Sequence, residues 1–252
     1  MFGFSKRKAE RTFTDFAVGF NLKNHPHLIP VGYADDEVIF WDYEKLKNLF
    51  IIGGAGAGTS YMIRNVVDEL TKYYHTNSVL YGIDITRVDL FEYRKLMRDT
   101  LFTRTEDQDE FFEDIEKMAQ PKTNSFGDAY HFDIFVFVPD ITCFWDDYPN
   151  HKLEQRLFDL AQKYPNIHLI IECRGVSEQK YDYALPYVNE SFPVILGTDH
   201  TNAKQLFFAE SKSNPEIDPT HKGEGIVKSG NDAQKFQVFR NSEVFTNWIN
   251  RK

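Results

Sequence analysis

The sequence predicts an α/β fold: a mainly parallel sheet with helices packed on both faces. Three observations carry that expectation. Apolar runs with few polar interruptions recur at 49–52, 78–85, 132–138, 167–172 and 192–196, as in strands covered on both faces. Between several of them lie stretches whose apolar residues fall at helical spacing. The first long run also feeds a glycine-rich turn, GGAGAGTS at 53–60, that opens one of these helices. Strands alternating with helices in this order form a layered α/β domain.

The elements follow in order. Residues 1–28 are mixed, basic at the start and without clear periodicity; they read as a linker or arm ahead of one domain at 29–252. Residues 29–40 (IPVGYADDEVIF) predict two short strands around an acidic turn at Asp35 and Asp36. A strand at 48–52 leads into the glycine loop, and a helix over 60–74 places Met62, Val66, Val67 and Leu70 on one face. Residues 78–85 (SVLYGIDI) predict a second core strand ending at Asp84, and 90–97 a short helical segment.

The acidic stretch 106–119 predicts an amphipathic helix with Phe111, Phe112, Ile115 and Met118 on its apolar face. Its carboxylates form a solvated face or one that docks a partner. Residues 121–129 carry Pro, Gly, Ser, Asn and Asp and predict a loop. The third core strand, 132–138, is the most β-prone stretch of the chain. A helix over 151–163, strands at 167–172 and 192–196, and a C-terminal strand pair at 223–230 and 235–240 complete the order.

Composition narrows the function classes. The 252 residues suffice for one α/β domain with a substantial core, and 42% are hydrophobic. A formal charge of −9, from 38 acidic and 29 basic residues, argues against broad binding to nucleic-acid phosphates. Cys143 and Cys173 form neither a metal-ligand spacing nor a disulfide framework, which fits a reducing setting. No apolar run approaches the roughly eighteen residues of a membrane span. The start, MFGFSKRKAERTF, lacks the apolar core and cleavage site of a secretory signal.

The glycine turn has the frame of a phosphate-binding P-loop, G-x-x-x-x-G-K-[ST]. It runs Gly53, Gly54, Ala55, Gly56, Ala57, Gly58, then Thr59 and Ser60. Glycines let backbone N–H groups curl around phosphate oxygens, and the helix N-terminus adds partial positive charge. Thr59 stands where the lysine belongs, so the frame keeps its shape and loses its fixed cation. Ser60 remains a candidate hydroxyl ligand for Mg²⁺. The alternative is a plain glycine-rich turn from strand to helix.

A P-loop enzyme also needs a strand-end acid for Mg²⁺ and a group that positions the attacking water. The strand at 134–138 runs into Pro139, Asp140 and Ile141, where Asp–Glu is expected. Either Pro139 replaces the metal-binding Asp, or the acid is displaced by one residue to Asp140; the glutamate base is absent in both registers. Asp140 is thus a candidate catalytic and Mg²⁺-binding acid, or else an ordinary turn acid. Arg174, in ECRG at 172–175, is a candidate phosphate contact within its own subunit or across an interface. Its alternative is a simple ion-pairing arginine. Cys173 reads as a small buried hydrophobe. Asp84 ends a strand on the edge where open α/β sheets bind ligands. His25, His27 and His131 share no metal geometry.

The order of P-loop, GIDITRVDLFEYRKL (82–96), FVFVPD and IIECRG resembles the FtsK/SpoIIIE branch of the HerA-FtsK translocase superfamily. Asp84, Arg87, Asp89, Leu90 and Tyr93 echo that family's D-P-K-x-x-E-L-x-x-Y motif. The lead-in IPVGYADDEVIFWDYEKLKNLFIIGG and the tail GEGIVKSGNDAQKFQVF resemble the ATPase modules of type VII secretion coupling proteins, the EssC/YukB group, over roughly 29–249. Three family positions differ: Thr59 for Lys, Pro139–Asp140 for Asp–Glu and Cys173 for Gln.

The resemblance implies a RecA/FtsK-like P-loop NTPase fold and, from these losses, the degenerate C-terminal module of such a motor. Its ligands would be ATP and Mg²⁺, or neither. Its partners would be secreted proteins of the type VII pathway and neighbouring ATPase modules, with no nucleic acid and with membrane attachment only through the rest of a parent protein, on the cytoplasmic side. The competing expectation is a working ATPase that powers translocation with a substitute cation, Arg174 or a partner's residue. DNA translocation fits the negative charge poorly.

Overall fold

Along β3 (Asn48–Gly53) successive side chains leave opposite faces of the sheet, and both faces are buried. Leu49 and Ile51 enter one core with Met62, Val66, Val67 and Leu70; Phe50 and Ile52 enter another with Phe158 and Phe207. This double burial is what the uninterrupted apolar runs required. A computed structural model describes residues 25–73, 78–97, 99–141, 152–174, 189–197, 201–213, 215–218, 220–229 and 232–239. The arm expected at 1–28 therefore lies almost wholly outside the described residues, as does Cys143.

The other strands are β1 (Leu28–Ala34), β2 (Glu37–Asp42), β4 (Ser78–Ile83), β5 (Leu101–Phe102), β6 (Lys122–Thr123), β7 (Ala129–Tyr130), β8 (Asp133–Val138), β9 (Ile167–Cys173), β10 (Ser191–Leu196), β11 (Glu224–Ser229) and β12 (Asp232–Val238). The helices are α1 (Thr59–Tyr73), α2 (Gln108–Ala119), α3 (Lys152–Lys163) and α4 (Thr201–Phe208). Ten strands form one sheet in the order β2-β1-β12-β11-β10-β3-β9-β8-β4-β5. The six from β10 to β5 are parallel, and the four beyond β10 are antiparallel. The mainly parallel sheet and its helical cover are as the sequence predicts. One face carries α1, and the other α2, α3 and α4.

Predicted boundaries agree with the observed elements to within one or two residues for most strands and helices. Two differences have clear causes. The loop expected at 121–129 contains the β6–β7 hairpin, too short to show alternation, closed by Asn124, whose side-chain oxygen accepts from the N–H groups of Phe126 and Asp128. The helix expected at 90–97 is one 3₁₀ turn, Phe91–Tyr93, followed by further turns. Asp84 anchors it by accepting from Leu90 N–H at 2.8 Å. The acidic face of α2 is tied across to α3 by Arg156–Asp109 and Lys163–Glu116 pairs at 2.7 and 2.9 Å.

Candidate functional site

The parallel strands all deliver their C-terminal ends to one edge, and the glycine loop emerges there from β3. Gly56 and Gly58 have φ of +79° and +106°, which a residue with a side chain adopts only with strain. A methyl group on Gly58 would also stand 3.0 Å from the Cα of Gly223. The turn ahead of β11 packs over the loop in this way: Gly223 N–H donates to Ala57 O at 2.9 Å, and Val238 N–H donates to Gly223 O at 2.9 Å. Between the loop and this cover is a cavity of about 310 Å³ lined by Gly56, Gly58, Thr59, Ser60, Tyr61, Lys222, Gln237 and Phe239.

Thr59 does not reach outward as a P-loop lysine would. It is 5% exposed, and its hydroxyl lies near enough to the Glu172 carboxylate to help hold that group's pKa down. Ser60 lines the cavity. Gly53 ends β3, and Gly54 O accepts from Ala57 N–H at 3.1 Å, closing the turn. Ala55 lies between them in the same turn.

Beside the loop, three acids surround Arg174. Its Nη2 donates to Asp89 Oδ2 at 2.6 Å, its Nε to Glu172 Oε1 at 3.1 Å, and its Nη1 stands 3.6 Å from Asp140 Oδ2. Asp140 sits in a turn with φ of +52°, and its N–H donates to Glu172 Oε2 at 3.2 Å. Burial pushes the Glu172 carboxyl up from its ordinary range, while Arg174 and Thr59 oppose the shift. Burial also pulls Arg174 down, but the Glu172 bond and the three negative charges outweigh it, so the guanidinium stays charged.

Mg²⁺ was the ion expected on Ser60 and Asp140. The structure places Ser60 on the cavity wall and Asp140 in the acid cluster, where the carboxylates already face a cation. Among the described residues no three acidic, imidazole or thiol groups are arranged to hold a metal ion. Asp140, engaged by Arg174, is not among the residues lining the cavity that Ser60 lines, so the two do not share one site. A glycine-rich cradle suits an anion, and Lys222, an exposed cation, is among the residues that line the cavity.

Other expected positions resolve locally. Both carboxylate oxygens of Asp84 serve its own turn, accepting from Thr86 Oγ1 and Leu90 N–H. Cys173 is a buried thiol at the end of β9. His25 and His27 meet edge to face at 6.2 Å.

Sequence reasoning missed the participation of Glu172, Asp89 and Lys222. The first left a signal: a glutamate closing a strand as apolar as IHLII needs a buried partner.

No family model and no curated protein matches the chain by sequence. Solved structures do match by fold. EccC (ATPases 2 and 3) of Thermomonospora curvata, in complex with a signal sequence peptide, superposes with a TM-score of 0.66 at 17% identity, covering 90% of this chain and 43% of that one. The pCW3 conjugation coupling protein TcpA, with ATPγS, gives 0.66 at 17% identity, over 90% and 71%. EssC (ATPases 2 and 3) of Geobacillus thermodenitrificans gives 0.66 at 14% identity, over 92% and 45%. The fold is that of a RecA/FtsK-like P-loop NTPase. The chain spans only 26% of the cytoplasmic domain of T. curvata EccC.

Proposed function

We propose that this chain is a degenerate FtsK/SpoIIIE-type ATPase module of a type VII protein-secretion motor, serving substrate recognition or regulation with weak or absent ATP hydrolysis. One observation carries the reading: Gly56 and Gly58 hold the glycine loop in a positive-φ turn, while Thr59, at the lysine position of the frame, is short and only 5% exposed. Hydrolysis needs fixed positive charge on the phosphates and a positioned water. Here three acids are committed to Arg174, and Arg174 to them. This engagement favours the regulatory reading over a working ATPase that borrows Arg174 as its cation.

Secreted proteins of that pathway and neighbouring ATPase modules are the partners this reading implies. A signal sequence peptide and a second ATPase module accompany the matched EccC structure, which supports that choice. A cytoplasmic position within a membrane-anchored complex follows from the same reading. Among the described residues no helix is long and apolar enough to cross a membrane.

The test is Mg-ATP binding by calorimetry together with a multiple-turnover ATPase assay. The expected result is no turnover, with binding weak or undetectable at millimolar nucleotide. Sustained turnover that is lost in Gly58→Ala or Asp140→Asn would sink the proposal. Thr59→Lys sharpens it: strong ATP binding gained by that change alone means an open pocket short of one cation.

A further inference from the structure

Three carboxylates from three different segments converge on one guanidinium. Asp89 follows β4, Asp140 follows β8, and Glu172 belongs to β9. All three are buried, with 1%, 7% and 0% exposure. Carboxylate oxygens are the donors that ions of the Mg²⁺ and Mn²⁺ class take, but with the guanidinium between them the three acids are not arranged to hold a metal ion. One guanidinium also leaves the cluster incompletely satisfied, because Asp89 Oδ1 is buried without a hydrogen-bond partner.

We propose that the Arg174 guanidinium is the resident cation of this centre, standing where a divalent ion would otherwise be drawn in. The wild-type chain then takes no Mg²⁺ or Mn²⁺ there, and a variant lacking the guanidinium does. Geometry supports the exclusion. Arg174 spreads its contacts over three nitrogens, at 2.6 Å to Asp89, 3.1 Å to Glu172 and 3.6 Å to Asp140. Mg²⁺ holds its oxygens at about 2.1 Å, so the acids must draw together once the wider group is gone. The Arg174 side chain is 32% exposed, so the cluster is within reach of solvent ions. The inference concerns how the centre is charged and holds whatever the module recognises.

The experiment compares wild type, Arg174→Ala and the double variant Arg174→Ala/Asp89→Asn by thermal unfolding in EDTA and in millimolar Mn²⁺. Bound Mn²⁺ is counted by electron paramagnetic resonance. Wild type is expected to melt at one temperature in both conditions and to bind no Mn²⁺. Arg174→Ala is expected to melt several degrees lower in EDTA, to recover most of that loss in Mn²⁺, and to bind one ion per chain. The double variant should lose that recovery. Stabilisation of wild type by Mn²⁺ to the same extent, or identical melting of Arg174→Ala in the two conditions, overturns the proposal. If Arg174→Ala does not fold in EDTA, Arg174→Gln, which keeps a neutral donor, carries the same test with the same two outcomes.

Discussion

Two basic side chains enter the sheet from opposite edges, and they meet opposite kinds of partner. Lys47, just before β3, donates from Nζ to the carbonyls of Ala161 and Tyr164 at the end of α3. Arg174, just after β9, is held by Asp89, Glu172 and Asp140. Burial pulls the Lys47 amine down to about 8, with Glu190 opposing, whereas the carboxylates hold Arg174 above its ordinary value despite burial. Carbonyls satisfy hydrogen bonds without cancelling a charge, and carboxylates do both. One edge therefore tolerates a neutral amine, and the other depends on a permanent cation.

Arg174→Ala should give the largest effect. It leaves three buried carboxylates without their counter-ion, and a loss of about 3 kcal/mol is expected, the low end for broken buried pairs because Arg174 is partly exposed. Urea denaturation at neutral pH measures it. A loss within error of zero would mean that the acids are protonated or hydrated, and the contrast between the edges would fail.

Next comes the pH dependence carried by Lys47. Its folded pKa lies below its unfolded value, so the folded state binds fewer protons between the two, and stability rises with pH from about 8 towards 10. The gain across that window is on the order of 2 kcal/mol. Above about 10 the sign reverses, because burial raises the phenols of Tyr81 and Tyr93 and the unfolded chain ionises first. The difference between wild type and Lys47→Met at several pH values isolates the lysine. Parallel profiles would show that Lys47 stays charged in the fold.

Smaller effects come from the backbone and polar anchors of each edge. Gly58→Ala places a side chain at φ +106° and against Gly223, for an expected cost of about 1–2 kcal/mol by denaturation. Asn48→Ala removes the oxygen that accepts from Leu169 N–H at 3.1 Å, for about 1 kcal/mol. If Asn48→Ala cost more than Gly58→Ala, the N-terminal edge would be the more tightly constrained of the two.

The glycine loop was legible because its conformation is written in adjacent residues: Gly56 and Gly58 occupy the left-handed positions. The acid cluster was legible only in fragments. Asp140 and Arg174 stood out at strand ends, but Asp89 was no more than a motif echo, and Lys222 lay just outside the strand that drew attention. The β6–β7 hairpin and the two-residue β5 escaped because two residues carry no period.

From the sequence alone came the parallel core, its two-sided burial and the loop that has lost its lysine. Hydrophobic period and turn chemistry act over neighbouring residues, and β3 with α1 states both. Only the tertiary structure decided which partners the charges beside that loop find. Arg174 finds Asp89 across 85 positions of chain and turns towards it, while Thr59 lies near Glu172. A buried charge is satisfied by whichever partners the strand order brings beside it, and that order is a property of the whole sheet.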